Sequence, residues 1–145
     1  MAMDIEQQYD KIYRYCYHRL RRRELAEDVT QETFLRFFRT YENRQRDLPL
    51  LYTIARHLCQ DAARKRREEP LEEEISVETT GDPLQNTALK LALEQLPQED
   101  RELLLMRYVN EESLGVLSQL YGVSRFALYR RCKNLLSQLK REMEG

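Results

Sequence analysis

In residues 26–41, apolar residues recur at the spacing of an α-helix, and a helix through this segment has two faces of different composition. At about 100° per residue, one side collects apolar and small residues, which indicates a core-facing stripe. The members of that stripe are Ala26, Thr30, Thr33, Phe34, Phe37 and Tyr41, with Phe38 at its edge. The opposite side collects Asp28, Gln31, Glu32 and Leu35. This second face is either an ordinary solvated surface or a docking surface for a partner, and spacing alone favours the solvated surface.

The composition favours an all-α protein with long helices. Among 145 residues there are 4 Gly, 4 Pro and no Trp, and strand-like alternation is absent. Apolar periodicity predicts helices at about 4–20, 24–41, 48–67, 84–96, 98–109, 112–121 and 124–142. No apolar run approaches the ~20 residues that span a bilayer, and the polar N-terminus lacks a signal-peptide pattern. We therefore expect a cytoplasmic protein without membrane insertion.

Charge is distributed unevenly along the chain. The formal net charge is −1 overall, but residues 1–67 carry +5, residues 68–83 carry −7 and residues 84–145 carry +1. This distribution predicts two small helical modules joined by an acidic flexible linker rich in Glu and Thr. The whole-chain charge is therefore a poor guide to nucleic-acid binding.

The cysteines and histidines do not form a recognisable reactive site. Cys16, Cys59 and Cys132 lie far apart in the chain, and none has metal-ligand spacing with His18 or His57. We expect structural cysteines, no metal and no cofactor. Without a catalytic constellation or a phosphate-binding glycine loop, an enzyme acting on a small-molecule substrate is disfavoured.

The third helix has a polar stripe opposite its apolar one. The predicted core residues are Leu51, Ile54, Ala55, Leu58 and Ala62. The polar stripe contains Thr53, Arg56, His57, Gln60, Arg64 and Arg67. Such side chains can bind phosphates and offer hydrogen-bond donors to bases. The alternative is that the basic residues at 64–67 only complement the helix dipole.

Residues 113–132 have the pattern of a helix-turn-helix. Leu117 and Leu120 would pack its first helix, and Ser124 would cap the second after a turn at 122–124. In the second helix Leu128, Cys132, Leu135 and Leu139 are predicted to face inward. The predicted outward residues are Phe126, Arg130, Lys133, Asn134 and Ser137.

Residues 124–141 contain six basic residues and no acid, which is typical of a recognition helix in the major groove. Arg130 is suited to guanine and Phe126 to a thymine methyl group. Arg125, Arg131 and Lys133 are predicted to hold phosphates. The alternative is a basic amphipathic helix that merely packs against its neighbours.

Three segments together resemble one known family. The segment AEDVTQETF resembles the polymerase-docking segment of bacterial sigma factors, and LYTIARHL resembles their promoter-melting helix. With the helix-turn-helix, all three occur in the family's order and spacing. The chain is most similar to the two-domain sigma factors of the extracytoplasmic-function group. It departs from the family pattern at Leu50, His57, Val116, Ser118, Ala127 and Tyr129.

The resemblance implies functions for the modules. Residues 1–67 would bind core RNA polymerase (β′ and β subunits) and open promoter DNA, and residues 84–145 would bind the minus-thirty-five element. The docking residues would be Asp28, Gln31, Glu32 and Leu35. Minus-ten DNA would contact Asn43, Arg44, Gln45, Arg56, His57, Gln60, Arg64 and Arg67. Minus-thirty-five DNA would contact Arg125, Phe126, Arg130, Arg131, Lys133 and Asn134.

The resemblance also implies that the protein is not itself an enzyme and that an anti-sigma factor binds it. For the acidic linker, the resemblance implies a location along the path of nascent RNA in the polymerase. The alternatives are that the linker folds back and masks the DNA-binding faces, or that it is only a spacer. The main alternative function is a stand-alone helix-turn-helix regulator that binds duplex DNA without polymerase.

Overall fold

The computed structural model describes residues 5–40, 47–68 and 87–144, and every regular element in these ranges is helical. Within these ranges seven α-helices follow one another: α1 (Ile5–Leu20), α2 (Arg23–Thr40), α3 (Leu48–Glu68), α4 (Thr87–Glu94), α5 (Gln98–Leu104), α6 (Leu114–Tyr121) and α7 (Arg125–Glu144). A π-helical turn, Leu105–Val109, continues α5. The all-α prediction is confirmed for this part of the chain.

The chain divides into two compact units, Met1–Ser76 and Val77–Gly145. The division falls within the predicted acidic linker, 68–83. Its first residue, Glu68, still belongs to α3, and the rest of that segment lies outside the described residues, as do Tyr41 and the segment 42–46.

In the first unit, α1, α2 and α3 each pack against the other two. The predicted inner face of α2 is confirmed, because Ala26, Thr30, Thr33, Phe34 and Phe37 are all buried. The buried threonine hydroxyls are satisfied within the helix: Thr30 donates to the Ala26 carbonyl and Thr33 to the Val29 carbonyl, both at 2.7 Å. Val29 is also buried, so the core face of α2 is wider than the predicted stripe.

The buried face of α3 is rotated about the helix axis relative to the predicted stripe, by roughly half of the 100° that separates successive residues. Leu51 and Ala55 are buried as predicted, but the arc is completed by Tyr52 and Cys59. Of the remaining predicted core residues, Ile54, Leu58 and Ala62 are partly exposed. The shift follows from packing, because α3 contacts both α1 and α2, and the Tyr52 ring meets Tyr15 edge-on with centroids 5.7 Å apart.

The cysteines are free and buried, in agreement with a structural role. Cys16 and Cys59 meet between α1 and α3, although they are 43 positions apart. The hydrogen bond with Cys59 lowers the pKa of the Cys16 thiol, against the raising effect of burial. Burial raises the pKa of Cys132, which lies on the inner face of α7. The contact between Cys16 and Cys59 explains why Cys59 belongs to the core.

In the second unit, α7 packs against α4, α5 and α6. The predicted inward residues Leu128, Cys132, Leu135 and Leu139 are all buried, as is Leu117 of α6. Within this unit the Tyr121 hydroxyl donates to Oε2 of the buried Glu102 at 2.5 Å, which joins the end of α6 to α5. The predicted amphipathic pattern of α7 is therefore confirmed.

The connection from α5 to α6 differs from the prediction of helices at 98–109 and 112–121. The Asn110 N–H donates to the Leu105 carbonyl five residues earlier, at 2.9 Å, which is the π-helical pattern. Glu111 then adopts a positive φ of 55°, and the Glu112 N–H donates to the Met106 carbonyl at 2.9 Å. Because Glu112, which was predicted to begin α6, forms this hydrogen bond to the preceding turn, α6 begins at Leu114, with Ser113 as its N-cap.

Candidate nucleic-acid and polymerase interfaces

The turn between α6 and α7 has the geometry predicted from its sequence. Gly122 adopts a left-handed φ of 68° and donates its N–H to the Ser118 carbonyl at 2.9 Å. This is a conformation that glycine adopts without a steric cost from Cβ. Ser124 caps α7, since its Oγ accepts a hydrogen bond from the Ala127 N–H at 3.1 Å. The local sequence thus sets where α7 starts and which face it presents.

The outer face of α7 presents two aromatic–cation pairs. Phe126 is 67% exposed, and the Arg130 guanidinium carbon lies 5.7 Å from the centre of its ring. Tyr129 is 48% exposed, and Lys133 Nζ lies 5.7 Å from the centre of that ring. The predicted outward residues Asn134 and Ser137 are also exposed. Tyr129 had no predicted role, although its spacing of four residues from Lys133 could have indicated the pair.

Two of the predicted phosphate ligands contact other helices of their own unit. Arg131 Nε donates to Asp100 Oδ1 at 3.0 Å, and a second guanidinium nitrogen contacts the same oxygen. The Asp100 side chain is only 14% exposed. Arg125 lies against Gly115 of α6, where an added Cβ would stand 3.2 Å from its Nη2. Arg131 and Arg125 therefore lie against neighbouring helices, whereas Arg130 and Lys133 lie on the outer face of α7.

The predicted docking face of α2 is exposed except at Glu32. Asp28 and Gln31 are exposed, as is Leu35, at 52%. Glu32 is partly buried, and its Oε2 accepts a hydrogen bond from Arg36 Nε at 2.9 Å and lies 3.9 Å from Arg39 Nη2. Neither arginine was predicted to belong to this face. Of the two acids on this face, Glu32 is paired with two arginines, whereas Asp28 is exposed and forms no ion pair with another described residue.

The predicted minus-ten residues are only partly described. His57, Gln60 and Arg64 are exposed on α3, and Arg56 is partly buried. Arg64 Nη2 lies 3.4 Å from Oδ1 of Asp61, an acid on the same side of the helix that the sequence interpretation had not included. The remaining predicted residues, Asn43, Arg44, Gln45 and the side chain of Arg67, lie outside the described residues.

The hydroxyl group of Thr53 forms a hydrogen bond within its own helix. It donates to the Pro49 carbonyl at 3.0 Å, so its hydrogen bond remains within α3. The exposed polar side chains described on this stripe are therefore His57, Gln60 and Arg64.

The described ranges contain neither a metal-binding cluster nor a membrane-spanning helix. No group of three or more His, Cys, Asp or Glu side chains there could hold a metal ion. No helix within those ranges is long and apolar enough to cross a membrane.

The amino-acid sequence is similar to those of known sigma factors. Residues 5–69 match the family model for sigma-70 region 2. The RNA polymerase sigma factor CarQ of Myxococcus xanthus is 31% identical over 137 residues, which cover 82% of this chain and 79% of CarQ. The ECF RNA polymerase sigma factor BldN of Streptomyces coelicolor is 30% identical over 149 residues. That match covers 90% of this chain but only 56% of BldN.

The overall fold also resembles a solved sigma factor. RpoE of Bartonella quintana, crystallised in complex with the anti-sigma factor NepR, superposes with a TM-score of 0.68 at 18% identity. The match covers 94% of this chain and 92% of that chain. At this identity the likeness concerns the fold alone.

Fold and site together define an all-helical protein that combines a three-helix unit with a second unit containing a helix-turn-helix. With the sequence relatives added, the family is established. The chain belongs to the RNA polymerase sigma factors, in the extracytoplasmic-function group.

Proposed function

We propose that this protein is an alternative sigma factor that binds core RNA polymerase and directs it to promoters. The observation that supports this most is the combination, in one chain, of a sigma region 2 segment at 5–69 and a helix-turn-helix with outward cations. In this proposal the polymerase performs the chemistry and the chain acts in the cytoplasm without catalysing a reaction itself. Residues 1–67 bind polymerase and minus-ten DNA, and residues 84–145 bind the minus-thirty-five element.

The surfaces have separate tasks in this proposal. Asp28, Gln31 and Leu35, with Glu32 beside them, contact the β′ and β subunits. The exposed residues of α3 contact melted minus-ten DNA, and the outer face of α7 enters the major groove. By analogy with the sigma factor that was crystallised with an anti-sigma factor, such a partner would regulate this chain by covering these surfaces.

The test is transcription with purified core polymerase on a library of genomic promoter fragments. We expect promoter-specific transcripts only when both the chain and the core enzyme are present. The alternative, a stand-alone helix-turn-helix regulator, requires specific duplex binding without polymerase. Tight binding to a palindromic site, with no effect of the chain on the start sites of core polymerase, would replace our proposal with that alternative.

The outward cations of α7 should differ in how they affect promoter choice. Replacing Arg130 by alanine should cost about 1–3 kcal/mol and relax the preference at one position of the minus-thirty-five element. Lys133→Ala should weaken all promoters similarly and reduce the salt dependence of binding, as loss of one phosphate contact does. Selection of promoters from a randomised library with each variant measures both effects. Identical profiles for Arg130→Ala and the unchanged protein would place the wrong face of α7 in the groove.

Arg131→Ala should behave differently from Lys133→Ala, because Arg131 is bound to Asp100. We expect a loss of up to about 1 kcal/mol in the free energy of unfolding of the second unit, with a smaller loss of promoter affinity than Lys133→Ala causes. Urea unfolding and promoter binding by the assembled polymerase provide the two measurements. Equal losses of affinity in the two variants would mean that Arg131 leaves Asp100 and binds phosphate.

A further inference from the structure

Phe126 and Arg130 form an exposed aromatic–cation pair on the outer face of α7. A phenylalanine that is 67% exposed leaves much of its ring in water, where it forgoes the stabilisation that burial provides. The two residues are one helical turn apart, and the guanidinium carbon lies 5.7 Å from the ring centre. Their attraction restricts both side chains before any ligand binds, which reduces the entropy lost on binding.

The chemistry of the pair fits two neighbouring bases. A guanidinium group donates to O6 and N7 of guanine, and an aromatic ring offers an apolar contact to the C5-methyl group of a pyrimidine. Bases on one strand are about 3.4 Å apart along the helix axis. Groups whose centres are 5.7 Å apart are therefore far enough apart to contact two adjacent bases at the same time.

The second pair on this face has different chemistry. Lys133 is a compact charge on a flexible stem, without the planar fork that matches guanine, and it lies over Tyr129. Arg125 lies against Gly115 and Arg131 is bound to Asp100. Among the four basic side chains described at 125–133, Arg130 alone combines the guanine-binding group with a location over an exposed ring.

We propose that Phe126 and Arg130 act as one unit that recognises a 5-methylpyrimidine next to a guanine in the major groove. This inference rests on the proposed function and deepens it by naming the ligand of one part of α7. Thymine and 5-methylcytosine present the same methyl group at C5, so the pair accepts either base. Promoter recognition by this protein consequently responds to cytosine methylation at that step.

The experiment uses the full chain assembled with core polymerase and a promoter selected as described above. Each thymine of the minus-thirty-five element is replaced in turn by deoxyuridine, which removes only the methyl group. At one position, next to the guanine whose preference depends on Arg130, we expect binding to weaken about fourfold, as expected for one methyl group returned to water. With cytosine at that position, methylation at C5 should strengthen binding by a similar factor.

Phe126→Ala tests whether the ring is responsible. This variant should bind the promoter more weakly and should no longer distinguish thymine from deoxyuridine at that position. The matched control is Leu91→Ala, because Leu91 is an apolar side chain of α4 that is 56% exposed. The control should keep the full methyl dependence. Since Phe126 is exposed, its replacement leaves the core of the unit intact.

Three results would overturn the inference. One is a holoenzyme indifferent to every deoxyuridine replacement, and another is a methyl effect that Phe126→Ala retains. The third is a methyl-sensitive position that is not adjacent to the guanine recognised by Arg130. In each case promoter-specific transcription persists, whereas failure of the proposed function removes such transcription altogether.

Discussion

Replacing Asp28 by lysine is expected to weaken binding of the chain to core RNA polymerase by about tenfold or more, because it reverses a charge at the proposed interface. The side chain is exposed on α2, so the free energy of unfolding should change by no more than about 0.5 kcal/mol. Titration of labelled core enzyme measures the affinity, and urea unfolding of the same preparation measures the stability. Unchanged polymerase affinity would remove the docking assignment.

Asp28 is a better position for this test than Glu32. Lysine at position 32 would stand one turn from Arg36 and near Arg39, and like charges at this spacing destabilise a helix by about 0.2–0.5 kcal/mol per pair. Glu32→Gln removes the charge without adding repulsion, and we expect it to weaken polymerase binding less than Asp28→Lys does. Glu6→Lys is the matched control, because it makes the same charge change at an exposed position of α1 and should leave polymerase affinity unaltered.

The largest effect on stability is expected from Tyr52→Ala. Tyr52 is fully buried in the first unit and packs edge-on against Tyr15. Truncation of a buried aromatic residue costs about 3–5 kcal/mol, a large part of the 5–15 kcal/mol that typically stabilises a domain. We expect hydrogen exchange to show lost protection throughout α1, α2 and α3, while α5, α6 and α7 keep theirs.

Tyr52→Phe is the control for this substitution. It keeps the ring and removes only the hydroxyl, so the loss should be close to the ~1 kcal/mol of a single hydrogen bond. Equal loss of protection in both units after Tyr52→Ala would contradict their independence, and with it the proposed division into two domains.

Residues close together in the sequence determined much of the candidate site. The inner faces of α2 and α7 follow from apolar residues at helical spacing, since each residue turns the helix by about 100° whatever surrounds it. The turn before α7 follows from Gly122 and Ser124, whose conformational freedom and capping oxygen act within a few residues. The outward placement of Phe126, Arg130 and Lys133 could therefore be predicted from the sequence alone.

The tertiary structure decided the features that depend on residues distant in the chain. Arg131 and Asp100, which form an ion pair, are 31 positions apart, and Tyr52 joins the core because it meets Tyr15 of another helix. Because of the π-helical turn at Leu105–Val109, α6 begins later in the chain than predicted. The hydrogen bonds responsible cannot be predicted from apolar periodicity. By itself the sequence determined which residues share a helical face. Packing decided which of those residues remain available to a ligand, because an exposed cation binds whichever acid or aromatic ring the fold brings within reach.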